Sequence, residues 1–355
     1  MLENKLYKES IEAVLGLSLP WDKLKDKTLL ITGARGLIGS FLIDVLMFSN
    51  NTYGLNCSVI AAGRDEKKMK DRFEYYSNED NFKCISMDFM NKIDINNKEK
   101  VSYILHLASN THPIAYSTDP IGTITINVIA TYNLLKYASE NKIERFLFAS
   151  SNEIYGENRG DVELFDEHYC GYIDSNTIRA GYPESKRCGE SLCQAFKVQK
   201  GVDIVIPRLT RSYGPTMLLE DSKAMSQFIK KGLRGEDIVL KSDGMQYYSY
   251  TYVADAVAGL LTVLLLGVNG ESYNIADEKS DIRLKDLAQL IADKCGTKVV
   301  FEIPDEIEKA GYSRATKARL CAKKLKELGW NAKFDIERGI DYTLAIKRKE
   351  DLKNE

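Results

Sequence analysis

Histidine is scarce in this chain. Only His106, His112 and His168 occur in 355 residues, and no two of them stand at zinc-ligand spacing on a helix. A protein metal site is therefore not expected, and metal-assisted chemistry is disfavoured. The seven cysteines (57, 84, 170, 188, 193, 295 and 321) are odd in number, scattered and without a Cys-x-x-Cys pair. They read as reduced, mostly structural thiols. Long apolar runs are missing too, since the longest, residues 259–267, is too short to span a bilayer. Neither sign of charge dominates: 49 basic against 51 acidic residues leave −2, with no global pull toward nucleic acid or an anionic membrane. Met1-Leu2-Glu3-Asn4-Lys5 opens with mixed charge and lacks a signal-peptide core. These absences lead us to expect a cytoplasmic globular protein that partners neither nucleic acid nor membrane.

What is present is alternation. Residues 1–26 read as an amphipathic helix, with Leu6, Ile11, Val14 and Leu15 apolar, punctuated by Pro20-Trp21. This is a short extension ahead of the fold. From residue 28 onward, apolar strands (28–31, 59–62, 82–86, 103–108, 145–149, 203–206) alternate with helices (40–47, 65–76, 127–140, 181–199). Near-continuous apolar strands in such an alternation signal an α/β fold with a doubly wound parallel sheet, assigned here to residues 27–206. Beyond Pro207 the regularity weakens: helix 222–233, strand 238–240, helix 253–266, then helices 284–295 and 315–328. Helix 253–266 is apolar nearly all round, so residues 236–266 are expected to pack back onto the sheet. Residues 207–235 and 267–355 are left to form a smaller lobe over the carboxyl edge of the sheet, where such folds bind ligands.

Between the first strand and the first helix of the sheet stands Thr32-Gly33-Ala34-Arg35-Gly36-Leu37-Ile38-Gly39. A strand, a tight glycine turn and a helix N-terminus together make an anion site. The glycines let the backbone approach a diphosphate, and free N–H groups and the helix dipole face it. The Gly-x-x-Gly-x-x-Gly spacing resembles the short-chain dehydrogenase/reductase superfamily, which implies a Rossmann domain with NAD or NADP held at Gly33, Arg35, Gly36, Leu37, Ile38 and Gly39. Dinucleotide binders commonly place an acid after the second strand for the adenosine ribose. Here that position is Gly63, followed by Arg64-Asp65. A missing acid beside a guanidinium favours a ribose 2′-phosphate, hence NADP over NAD, although Asp65 remains available to a ribose. Asp88-Phe89 sits where the superfamily meets the adenine edge.

Tyr-x-x-x-Lys occurs twice, at Tyr132/Lys136 and Tyr182/Lys186. Either pair places both side chains on one helix face. Only the second follows a strand ending in Ser150-Ser151-Asn152-Glu153-Ile154-Tyr155-Gly156, so Tyr132/Lys136 reads as a surface pair. Oxidising a sugar alcohol needs a base for the hydroxyl proton while hydride leaves for a nicotinamide. A phenol near pKa 10 is a poor base at neutral pH. Lys186 and a positive nicotinamide would stabilise the phenolate of Tyr182, and Ser151 would hold the substrate oxygen.

From about residue 27 to 340 the chain resembles the extended nucleotide-sugar branch of that superfamily, containing epimerases, 4,6-dehydratases and UDP-glucuronate decarboxylase. The carriers are the glycine turn, His106-Leu107-Ala108-Ser109, Asn127, the Ser151 strand, Arg179-Ala180-Gly181-Tyr182, Tyr213-Gly214-Pro215, Tyr252-Val253 and Leu328-Gly329-Trp330. Tyr169-Cys170-Gly171-Tyr172 looks most like the decarboxylase. The resemblance implies cofactor contacts at Leu107, Ala108, Ser109 and Asn127, a nucleotide-sugar substrate, and a homodimer paired through helices such as 181–199. It gives Glu153 the place of a carboxylate that can remove the acidified C5 proton once C4 is a ketone. In the dTDP-glucose dehydratase pattern an Asp precedes that Glu and protonates the leaving hydroxyl. Asn152 cannot donate a proton as an acid. Decarboxylation of a 4-keto uronic acid or dehydration by another acid remain, with a 4-epimerase as rival and a catalytically silent NAD(P)-binding regulator as a reading of another class. In the decarboxylase pattern an Arg that clamps the nucleotide diphosphate stands where this chain has Tyr248, and an Asn stands where it has Arg211. We therefore expect the positive charge to have moved to Arg211.

Overall fold

The structure is a computed structural model that describes residues 1–95, 100–111, 113–218, 220–302 and 316–354. His112 and residue 315, where a helix was expected to start, lie outside this set. Seven strands build most of the main sheet: β1 (Thr28–Thr32), β2 (Ser58–Gly63), β3 (Phe82–Ser86), β4 (Val101–His106), β5 (Arg145–Phe148), β6 (Ser150–Ser151) and β7 (Ile204–Leu209). All pairings are parallel, in the order β3-β2-β1-β4-β5-β7, and β6 continues the line of β5 along β7. Strand order reverses between β1 and β4, the switch point at which doubly wound sheets open a crevice.

Alternation along each strand feeds two cores. Leu29 and Ile31 of β1 pack with Phe41, Leu42 and Val257 on one face, while Leu30 packs with Leu134, Leu135 and Phe146 on the other. Helices Leu37–Tyr53 and Val253–Leu266 cover the first face, and Pro120–Glu140 and Gly181–Lys200 the second. Every residue from Val253 to Leu265 is buried, which explains that helix's uniform apolarity. Among the described residues no helix is long and apolar enough to cross a membrane.

The lobe departs from expectation in three places. Strand Ser272–Ile275, expected in the lobe, extends the main sheet beyond β7. Of residues 236–266 only the helix packs back. Strand Ile238–Leu240 pairs with Val299–Phe301, and Tyr247–Tyr252 belongs to a small sheet with Arg211–Tyr213, Asp281–Arg283 and Lys317–Ala318. The helix expected from 315 to 328 shrinks to Lys323–Glu327, because Lys317 and Ala318 are drawn into that sheet and Cys321 N–H donates to Phe165 C=O at 2.9 Å.

The N-terminal helix, Lys5–Leu15, is part of the fold. Asn4 caps it, accepting from Leu6 N–H at 3.0 Å, and Tyr7, Ile11, Val14 and Leu15 are buried. Tyr7 O–H donates to Asp44 at 2.5 Å on the helix that follows the glycine turn, and Ser10 lies 3.1 Å from the Tyr252 hydroxyl in the lobe. One element thus binds both halves.

Candidate active site

The glycine turn is shaped by its neighbours. Gly33 has φ 67°, and a Cβ there would sit 2.7 Å from Ala108 N and 2.8 Å from the Leu107 carbonyl carbon. A Cβ on Gly39 would collide with the Gly33 carbonyl oxygen. The turn therefore packs directly on the loop after β4, which brings Leu107 and Ala108 beside Gly33. Thr32 Oγ1 accepts from Ala108 N–H at 3.1 Å and pairs with His106 Nδ1 at 2.8 Å. Burial, reinforced by the Lys186 charge, pushes the His106 imidazole down to about 3, so it is neutral. Gly36 forms the N-cap of helix Leu37–Tyr53 without a side-chain bond, so the helix N-terminus keeps its free N–H groups. This backbone fits a dinucleotide diphosphate. Leu37 and Ile38 form the first turn above it, and Arg35 pairs with Glu220 at 3.1 Å.

At the end of β2 a Cβ on Gly63 would meet Met69 Sδ at 3.0 Å, so packing also favours the glycine there. Arg64 is exposed. Asp65 caps the helix Glu66–Arg72, accepting from Lys68 N–H at 3.0 Å. Asp88 closes its own turn through Met90 N–H at 3.0 Å and Asn91 Nδ2 at 3.1 Å. Two expected cofactor contacts have side chains committed elsewhere. Phe89 is buried in the second core. Asn127 is fully buried, accepting from Ser109 O–H at 2.8 Å and donating to Thr123 C=O and Ser185 Oγ, each at 3.0 Å. The side chain of Asn127 therefore acts as an internal tie between the Ser109 loop and the helix that carries Tyr182.

Tyr182 and Lys186 lie one turn apart on helix Gly181–Lys200, both buried. Lys186 Nζ donates to Ala149 C=O at 2.8 Å and sits 4.8 Å over the Phe148 ring. Ser151 Oγ caps the short turn Asn152–Tyr155 by accepting from Glu153 N–H at 3.2 Å. Burial pushes the Tyr182 phenol up to about 12, with the Ser151 hydrogen bond acting against it, and burial pushes the Lys186 ammonium down to about 7. Tyr132, by contrast, is 46% exposed on the outer face of helix Pro120–Glu140, and Lys136 faces Glu140 at 3.9 Å.

Glu153 is held by Arg179, whose Nη2 donates to both carboxylate oxygens at 2.7 and 2.5 Å. The Arg179 guanidinium lies 4.6 Å over the Tyr116 ring, and Tyr116 lies 4.8 Å from the Tyr182 ring at 31°. Arg211, on the strand paired with Tyr247–Tyr252, places its guanidinium 3.4 Å from the Tyr248 ring centre. Two positions 37 residues apart where the chain departs from the decarboxylase pattern are thus in contact. Arg179 Nε and Arg211 Nη1 are buried without a hydrogen-bond partner among the described residues. A cleft lined by Asn152, Glu153, Tyr172, Arg179, Pro183 and Ala318 opens beside Arg179, one wall supplied by the lobe. Sequence reading gave no role to Arg179, although it heads the Tyr182 motif, and none to Tyr116, which has no local signal.

The family model described as the NAD dependent epimerase/dehydratase family matches residues 29–276. UDP-glucuronic acid decarboxylase 1 of Xenopus tropicalis is 32% identical over 324 residues, covering 91% of this chain and 73% of that protein. UDP-glucuronic acid decarboxylase 6 of Arabidopsis thaliana is 32% identical over 316 residues, covering 88% and 86%. Among solved structures, UDP-glucose 4-epimerase of Thermotoga maritima with UDP-glucose superposes with TM-score 0.79 at 24% identity, covering 91% of this chain and 99% of the other. UDP-glucuronic acid 4-epimerase of Bacillus cereus, with UDP-glucuronic acid and NAD, superposes with TM-score 0.77 at 20% identity, covering 92% and 99%. The glycine turn, the Tyr182/Lys186 pair and these matches agree, and the chain belongs to the NAD dependent epimerase/dehydratase family.

Proposed function

We propose that this enzyme oxidises a nucleotide-linked uronic acid at C4 and then decarboxylates it. The observation that carries the second step is Asn152, a buried amide at the position where a dehydratase needs an acid for its leaving hydroxyl. A β-keto acid needs no such acid. When bound, the nicotinamide cofactor takes up hydride from C4 and can return it. The residues of the chain do the remainder. Tyr182 removes the C4 hydroxyl proton, with Ser151 holding the oxygen and Lys186 stabilising the phenolate. With a ketone at C4, the C5–C6 bond breaks, its electron pair moves into the carbonyl, and carbon dioxide leaves. Ser151 and the reprotonated Tyr182 then donate hydrogen bonds to the enolate oxygen. C5 then takes a proton from a solvent water in the cleft, which the Glu153 carboxylate, oriented by Arg179, would direct. Arg211, stacked on Tyr248, is the cation that replaces the missing diphosphate clamp.

The finer points belong to the same reading. NADP is favoured over NAD by exposed Arg64 beside Gly63. A homodimer is supported by exposed apolar side chains on the paired helices, among them Ile121 at 75% and Val198 at 82%. A cytoplasmic setting suits seven unpaired cysteines. Incubation with UDP-, dTDP-, CDP- and GDP-sugars, uronic acids included, followed by mass spectrometry, tests the central claim. Loss of carbon dioxide from one uronic acid is expected. Loss of water, or an epimer of unchanged mass, as the only product would overturn it.

A further inference from the structure

We propose that Tyr116 is a positioning residue that serves both halves of the reaction, its ring lying against Tyr182 and also beneath the Arg179 guanidinium. This rests on the reading of Tyr182 as the base. Tyr116 lies on the short helix Pro113–Thr118, is 6% exposed, and is 66 residues from Tyr182 in sequence. Its ring centre stands 4.8 Å from that of Tyr182 at 31°, and its hydroxyl is one of the groups that oppose the upward push of burial on the Tyr182 phenol. Its face carries Arg179 at 4.6 Å, and Arg179 in turn holds both oxygens of Glu153.

The groups facing Tyr182 are Ser151, Tyr116, Arg179 and Glu153, with Lys186 one turn along its own helix. Those facing Tyr116 are Tyr182, Glu153, Arg179 and Arg211. Buried among them, Tyr116 is held well above the ordinary phenol range, so at any working pH it is neutral and keeps its proton to donate. A second donor beside Ser151 stabilises the Tyr182 phenolate over the phenol. The ring acts separately from the hydroxyl, because a cation over its face fixes Arg179, and Arg179 fixes Glu153.

Substitution separates the two roles. Tyr116→Phe keeps the ring and removes the hydroxyl. Reduced-cofactor formation should fall about tenfold near neutral pH with KM little changed, and the acid limb of kcat/KM should move up by about one pH unit. Tyr116→Leu removes the ring as well, and should slow the step after carbon dioxide has left, in which C5 acquires its proton beside Glu153. A reading independent of substrate is the tyrosinate absorbance of the NAD-loaded protein. The component abolished in Tyr182→Phe should titrate at higher pH in Tyr116→Phe. Full turnover in Tyr182→Phe would sink the base assignment itself. A dead Tyr182→Phe together with a wild-type pH profile and tyrosinate titration in Tyr116→Phe would overturn the proposal while leaving the base in place. Should Tyr116→Leu fail to fold, the isosteric Phe variant alone decides.

Discussion

Two carboxylates in this molecule, Asp44 and Glu153, are each held by an arginine, and they serve opposite ends. Asp44 is fully buried and accepts from Tyr7 O–H at 2.5 Å, Arg72 Nη2 at 2.8 Å and Tyr76 O–H at 3.0 Å. Its donors come from the N-terminal helix, the helix after β2 and the turn that follows, so three segments close on one charge. Glu153 also has its arginine, but its side chain is 18% exposed at a cleft, and Arg179 Nε and Arg211 Nη1 beside it have no partner among the described residues. The same ionic chemistry draws three segments together at Asp44, and at Glu153 leaves buried donor atoms without a partner near a cleft, which suits the substrate site proposed above.

The comparison breaks most sharply by deleting each carboxylate. Asp44→Ala leaves an arginine and two tyrosine hydroxyls without their acceptor, and should cost about 3–5 kcal/mol of stability. Turnover per folded molecule should stay near normal. Glu153→Gln should stay within about 1 kcal/mol of wild type in denaturant unfolding while losing most of its formation of finished product. Similar stability losses in both variants would erase the distinction. Next in size is Arg211→Ala, expected to weaken the nucleotide sugar by about 1.5–3 kcal/mol while leaving cofactor affinity alone. Calorimetric titration with each ligand separates the two, and unchanged sugar affinity would remove the relocated clamp.

Lys186 sharpens the contrast through pH. Burial lowers its folded-state value to about 7, below that of the unfolded chain. Well below pH 7 both states carry the charge, and the folded state bears the full cost of burying it. As pH rises above about 7 the folded protein releases that proton first, the unfolded chain binds more protons, and the cost declines. Lys186→Met should therefore raise stability by about 1–2 kcal/mol at pH 6, with the gain vanishing toward pH 10, although turnover is lost. A pH-independent difference in melting temperature would contradict this. The smallest effect is expected at Arg64, which is exposed and screened by solvent. Arg64→Ala should weaken NADP by about 1 kcal/mol and NAD hardly at all. Equal losses for both cofactors would dispose of the preference for the 2′-phosphate.

The parts whose cause is local are legible along the chain. A buried strand, a glycine turn and a helix N-terminus announce themselves within a dozen residues, because φ, close backbone approach and helix termini are properties of adjacent positions. A tyrosine and a lysine four apart on a helix share a face whatever surrounds them, and the strand upstream is what favours Tyr182/Lys186 over Tyr132/Lys136. The tertiary structure alone decided which distant groups meet. It turned Asn127 and Phe89 inward, where a motif suggested cofactor contacts. Residues 272–275 became an edge strand of the main sheet because a parallel partner was available along β7. Tyr116 stacked on Tyr182, Arg179 on Glu153 and Arg211 on Tyr248 are contacts between segments far apart in the chain. No periodicity encodes such contacts, since they follow from how helices and loops close over the sheet.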